Sequence, residues 1–257
     1  MANDCAPSLV PRVLRVIADA GSALLASGAE VARVEDTMQR LAQAYGVQAV
    51  EVVVLPTALF VNAPEGTVMR RIQRRSVNLA VVAAINQLSR DVSASPLPLP
   101  DVEARLDAAR RTHRYRPGTD GLFAALAAAA LSQLFGAPWL DAIPAAVAGG
   151  LTAWVRQQLK VTGLANSVSD MIAAMVAVLP ALVVAMVGKA GAGTVLVSGI
   201  MVLTPGLLIT TAVRDGIQGD LLSSAARMLE ALISAGAIAA GASLPLYLYL
   251  ALGGHLR

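Results

Sequence analysis

At 257 residues, 56% hydrophobic and only 14% charged, the chain is too apolar for an ordinary soluble domain, in which about a quarter of residues are charged. Its net charge of +3 comes from arginines that flank apolar runs, so the excess reads as membrane topology rather than as a nucleic-acid surface. The single cysteine, Cys5, excludes an internal disulfide, and no spacing of cysteine, histidine or carboxylate suits a metal or other cofactor.

Leu9, Val13, Val16, Ile17, Ala20 and Leu24 recur at helical spacing with Arg12, Arg15 and Asp19 opposite, which predicts an amphipathic helix ending at Ser27-Gly28. A second helix carries Val31, Val34, Met38, Leu41 and Tyr45 on one stripe and stops at Gly46. Three β-rich runs, 49–55, 58–62 and 67–72, are divided by Pro56-Thr57 and Pro64-Glu65-Gly66 and predict a small antiparallel meander. Asn78 opens a third helix reaching Arg90. Residues 1–95 thus read as a cytoplasmic α+β domain, and 96–117 as linker and basic juxtamembrane helix, the Ser/Pro-rich linker covering 91–100 and the helix 101–116.

The remainder, 118–257, is expected to be an α-helical multi-pass bundle of about five spans, at roughly 119–136, 139–155, 168–188, 194–213 and 226–252. Arg110, Arg111, Arg114 and Arg116 precede the first span, Arg156 and Lys160 follow the second, and Arg214 and Arg227 flank the turn before the fifth. Lys189 alone falls on the other side. The positive-inside bias then places the N-terminus in the cytoplasm and the C-terminus outside. Small residues four apart, Gly236/Ala240 and Ala237/Gly241, predict close packing of the last span.

The fourth span carries Thr204-Pro205-Gly206 near its middle. Pro205 lacks a backbone donor and frees the Met201 carbonyl, so the helix must kink or break there. Thr204 reads as N-cap and Pro205 as the first residue of a second half-helix, whose N–H groups from Gly206 onward turn positive potential into the membrane. Broken helices hold anionic groups in transporters, and an ordinary proline kink is the competing reading. On an ideal helix Thr204, Thr211 and Asp215 lie within about 20° of one direction, a polar stripe able to line a substrate path. A surface pairing of Asp215 with a nearby arginine is its alternative. Arg214, Asp220, Arg227 and Glu230 form a charged cytoplasmic mouth or a solvated loop cluster. Asn166, Ser167, Ser169 and Asp170 read as helix-start residues. In the first domain Arg33, Glu35, Asp36, Pro56 and Thr57 stand out, with a solvated helix face as the simplest account of the acidic pair.

Residues 27–47, SGAEVARVEDTMQRLAQAYGV, with Pro56-Thr57, Arg71-Ile72, Asn78-Leu79 and Asn86-Gln87-Leu88-Ser89-Arg90, resemble the N-terminal signature of the threonine/serine exporter family. The resemblance resumes at Thr204-Pro205-Gly206, Arg214-Asp215 and Gly219-Asp220, and departs at Thr204, where an aliphatic residue is expected. It implies a non-enzymatic secondary transporter subunit in the bacterial inner membrane, exporting a small carboxylate-bearing molecule: threonine and serine, or a dicarboxylate such as succinate. Because the family's long form carries a second membrane half, the chain resembles the larger subunit of a split two-protein branch. The implied partner is a smaller subunit of four or five spans. Two other classes compete, a membrane-tethered metabolite-binding or enzymatic domain, and a scaffold for a partner transporter.

Overall fold

The computed structural model describes residues 10–72, 76–111, 118–161, 163–187 and 191–255. Cys5, Leu9, Arg114, Arg116 and Lys189, invoked above, lie outside the described residues. The described chain is mostly helical, with one three-stranded sheet, and it divides into two compact units. The first joins Met1–Arg114 to Ile209–Met228, and the second joins Tyr115–Leu208 to Leu229–Arg257.

In the first unit, α1 (Val10–Ala26) is the hub, packed against α2 (Val31–Ala44), α3 (Leu79–Ala94), α4 (Leu99–Arg111) and the sheet. Its buried positions cover well over half of its circumference, with Arg12 and Arg15 on the exposed remainder, so Leu14, Ile17, Leu24 and Leu25 are all fully buried. Each such side chain contributes about 1.5–3 kcal/mol relative to exposure. Gly28, at φ +87°, turns the chain from α1 into α2 in the left-handed region that favours glycine. The sheet is the expected meander, β1 (Glu51–Leu55), β2 (Ala58–Ala63) and β3 (Gly66–Arg71), paired antiparallel in that order. Leu59, Val61 and Ala63 of β2 alternate inward with the period of two that a half-buried strand requires. Asn78 caps α3, its Oδ1 accepting the Val81 N–H at 3.3 Å.

The stretch 91–100 is not a linker throughout. α3 continues to Ala94, and α4 begins at Leu99 with Pro100 in its first turn, where a missing N–H breaks no intrahelical bond. Leu99, Val102, Leu106 and Ala109 of α4 join the same core as α1. The expected basic helix is therefore a packed element, described as far as Arg111.

The second unit comprises α5 (Thr119–Leu134), a 3-10 turn (Trp139–Asp141), α6 (Ala142–Val161), α7 (Asn166–Met186), α8 (Ala192–Met201) and the greater part of α10 (Leu221–Ala251). α6 touches α5, α7 and α8. The close packing expected of the last span is present at Gly241, where an added Cβ would strike the Met171 carbonyl of α7; at Gly236 it would meet nothing within 4 Å. Between α8 and α9 (Gly206–Ile217) the helix breaks, as Pro205 requires, and the pair is bent by 55°.

Among the described residues, two helices are long and apolar enough to cross a membrane, α7 and α10, and the bent pair α8–α9 would make a third. The five spans read from the sequence are not reproduced at this level. α5 has 16 residues, about 24 Å of rise against a hydrocarbon core of about 30 Å.

Candidate functional site

Pro205 interrupts the helix where expected, but Thr204 acts in the opposite sense to a cap. Its Oγ1 donates to the Met201 carbonyl at 2.6 Å, the acceptor that Pro205 leaves without its helical donor. The Thr204 N–H reaches the same oxygen at 3.2 Å, and the Thr204 carbonyl accepts the Gly206 N–H at 2.9 Å. Since residues 202–205 are not helical, Thr204 shares no helix face with Thr211 and Asp215, and the three-residue stripe is lost. Thr211 and Asp215 remain one turn apart on α9, half-buried and buried respectively.

Asp215 is fully buried within the first unit. Its Oδ1 accepts the Val31 N–H at 3.2 Å, and Arg227 Nε lies 2.9 Å from Oδ2. Arg227, 3% exposed, also donates from Nη2 to the Ala29 carbonyl at 2.7 Å. Arg214 Nη1 meets Glu30 Oε1 at 2.6 Å. Glu30 occupies the N-cap position of α2 without making a capping bond. Asp215 thus satisfies a first-turn donor of α2 from 184 residues away, where negative charge is favoured. Of the four residues read as a charged mouth, Arg214 and Arg227 close with Asp215 around the α1–α2 turn at residues 29–31.

Asp220 directly precedes α10 and influences Glu35 of α2. Burial chiefly, and then the Asp220 carboxylate, push the Glu35 carboxyl above its usual range, against an opposing backbone N–H of Val54. Glu230 lies half-buried on α10, in the second unit. Arg33 and Asp36 line a cleft of about 370 Å³ together with Arg214, while Glu35, Pro56 and Thr57 do not. Pro56 is buried and Thr57 exposed in the turn between β1 and β2, and the Thr57 carbonyl accepts the Ile72 N–H at 2.8 Å.

Sequence reasoning missed a second buried carboxylate. Asp170 does not serve as a helix-start residue: α7 follows Ala165, which makes no side-chain cap, and Asp170 is 2% exposed inside the second unit. Arg156 Nε of α6 lies 2.8 Å from Oδ1, and Ser234 Oγ of α10 donates to Oδ2 at 2.7 Å. The signal was available. An arginine and an aspartate facing into apolar helices are costly without each other. Among the described residues, no group of three or more histidine, cysteine or acidic side chains could hold a metal ion.

Comparison with known proteins follows the same segments. A family model described as "Putative threonine/serine exporter" matches residues 15–249. The chain is 25% identical over 237 residues to a "Probable threonine/serine exporter" of Mycobacterium tuberculosis, covering 90% of this chain and 45% of that protein. It is 23% identical over 258 residues to a "Threonine/serine exporter" of Corynebacterium glutamicum, covering 94% and 52%. The chain spans about half the length of the curated relatives it matches. No solved structure matches it. Matched by the family model over all but its ends, the chain belongs to the threonine/serine exporter family.

Proposed function

We propose that this chain forms part of a secondary exporter of small carboxylate-bearing metabolites, threonine and serine foremost and dicarboxylates such as succinate as the alternative class, in the bacterial inner membrane. The observation that carries the reading is the break at residues 202–205 inside an otherwise apolar helix pair. A carboxylate near the membrane midplane needs positive potential, and an arginine there costs about 3 kcal/mol or more. The start of α9 supplies it from backbone dipoles instead. Gly206 keeps that approach open, since a Cβ placed there would meet no atom within 4 Å.

The same open space makes Gly206→Val a clean test, because the fold has room for the side chain while an approaching substrate does not. Pro205→Ala restores the missing donor and permits a continuous helix. Both variants are expected to lower counterflow of labelled threonine in proteoliposomes roughly tenfold at matched protein amounts, the equivalent of about 1.4 kcal/mol of lost substrate interaction. Wild-type rates in both would reduce Pro205 to an ordinary kink. Because the chain spans about half of its relatives, the assay is run alone and with a smaller four- or five-span family member, the partner this reading calls for.

A further inference from the structure

The first unit carries two charged clefts whose electrostatics differ. One, of about 350 Å³, is lined by Arg12, Arg15 and Arg110 against Asp19, Glu103 and Asp107. Ion pairs join Arg12 to Glu103 at 2.7 Å and Arg110 to Asp19 at 3.6 Å, so its charges balance.

The other cleft, of about 370 Å³, lies along α2 and α3 beside the end of α9 and does not balance. Four arginines line it, Arg33, Arg40, Arg90 and Arg214, with Asp36 and Glu30 as its only carboxylates among the described residues. Asp36 already meets Arg40 at 2.9 Å, and Glu30 meets Arg214 at 2.6 Å. Arg33 makes no ion pair among the described residues, and Arg90 donates only to the neutral Gln87 Oε1, at 3.2 and 2.5 Å. Two guanidinium groups on adjoining helices are thus left without a counter-charge among the described residues. Ser89, also lining the cleft, is 3% exposed, and its hydroxyl has no partner among the described residues. A hydroxyl that is buried and unsatisfied destabilises the empty fold and is relieved by a ligand that bonds to it.

We infer that this cleft is a binding site for a small dianion presenting oxyanion groups, a dicarboxylate or a phosphate, held by Arg33 and Arg90 with the Ser89 hydroxyl as an additional donor. Arginine forks match planar carboxylates and phosphates alike, and a volume near the lower end for ligand sites suits a metabolite of few atoms. The site goes beyond the export reading: its residues all belong to the first unit and none to the Pro205-Gly206 break, and its charge excess suits a dianion rather than a zwitterionic amino acid.

The test is calorimetric titration of the full chain in detergent at low salt with succinate, inorganic phosphate and threonine as separate probes. Saturable binding of succinate or of phosphate is expected, and the tighter of the two identifies the source. Arg33→Gln and Arg90→Gln should each weaken it about tenfold, the loss of one charge-assisted hydrogen bond, and Ser89→Ala about threefold. Arg12→Gln, in the balanced cleft, should leave affinity unchanged. The inference is overturned by absence of saturable dianion binding, by threonine binding as tightly as either dianion, or by affinity indifferent to both Arg33→Gln and Arg90→Gln in folded protein.

Discussion

The Asp215–Arg227 pair shows what one residue can do when its partner is far away in sequence. Both side chains are almost wholly removed from solvent, so neither charge is tolerated alone. Asp215→Leu or Arg227→Leu should each destabilise the first unit by about 3–5 kcal/mol, whereas the Asp215→Leu/Arg227→Leu double variant should be considerably less damaging than the sum. Thermal unfolding of the four proteins closes this cycle, and strict additivity would deny the coupling. Glu35 gives a pH-dependent counterpart. Its carboxyl sits above the usual range, so the folded chain holds that proton more tightly than the unfolded chain does. The associated stability is complete below the unfolded pKa and is lost as pH rises through the raised folded one. Glu35→Gln should therefore raise Tm at about pH 7 and make little difference near pH 4, where glutamate is largely protonated in either state. An equal change at both would remove the titration from the explanation. Arg214-Asp215 was legible as a charged pair; Asp215 does meet an arginine, Arg227, but as a buried pair and not the surface pairing expected. That it also caps α2 was not legible, because nothing local to residue 215 encodes Val31. Asp170 was misread for the converse reason: its neighbours Asn166, Ser167 and Ser169 have the composition of a helix start, and the deciding partners, Arg156 and Ser234, lie on other helices.

Elements were more legible than the contacts between them. The apolar period of α1 and α2, the turns at Pro56-Thr57 and Gly66, and the cap at Asn78 are local rules, and all of them appear in the structure. The segment 91–100 failed because proline was read as a breaker in a place where the first turn of α4 accepts it. At the α8–α9 break, the position followed from Pro205 alone. The role of Thr204 did not, since its hydroxyl can accept forward from a new helix or donate back to the old one. Small-residue spacing in α10 had the same ambiguity between faces, and of its two glycines Gly241 meets a neighbouring backbone whereas Gly236 does not. Gly241→Leu should therefore lower the stability of the second unit in detergent by about 1–3 kcal/mol, since a carbonyl of α7 cannot withdraw as a flexible side chain would. Gly236→Leu, with open space at its Cβ, serves as the control. Indistinguishable melting of the two variants would mean that α10 does not pack through Gly241.

At the scale of the whole molecule, the composition of the first unit constrains topology more strongly than counting arginines does. Residues 214–227 contact residues 29–31, so both stretches lie on one side of the membrane. The chain between Arg111 and Arg214 must then cross an even number of times. α7 followed by the α8–α9 pair supplies two crossings, and α5 with α6 adds either two or none. Either way α10 is the odd crossing, and we propose that the C-terminus lies opposite residues 10–111, in keeping with the basic flanks. Between three spans and five, we propose five. Leu122, Phe123 and Leu126 on α5 and Ile143, Val147 and Trp154 on α6 are all about half exposed or more, apolar area that lipid covers and water does not. The shortness of α5 is a modest obstacle, because thinning of the bilayer accommodates a few ångströms of mismatch at a fraction of a kcal/mol per Å. Replacing Cys5 by serine and introducing one cysteine at a time at Ser93, Phe135 and His255 allows each site to be labelled with an impermeant reagent. Ser93→Cys is expected to react from the cytoplasmic side, and His255→Cys from the outside under either count. Phe135→Cys, in the turn after α5, decides between them: labelling from outside establishes α5 and α6 as spans, and labelling from the cytoplasmic side leaves three.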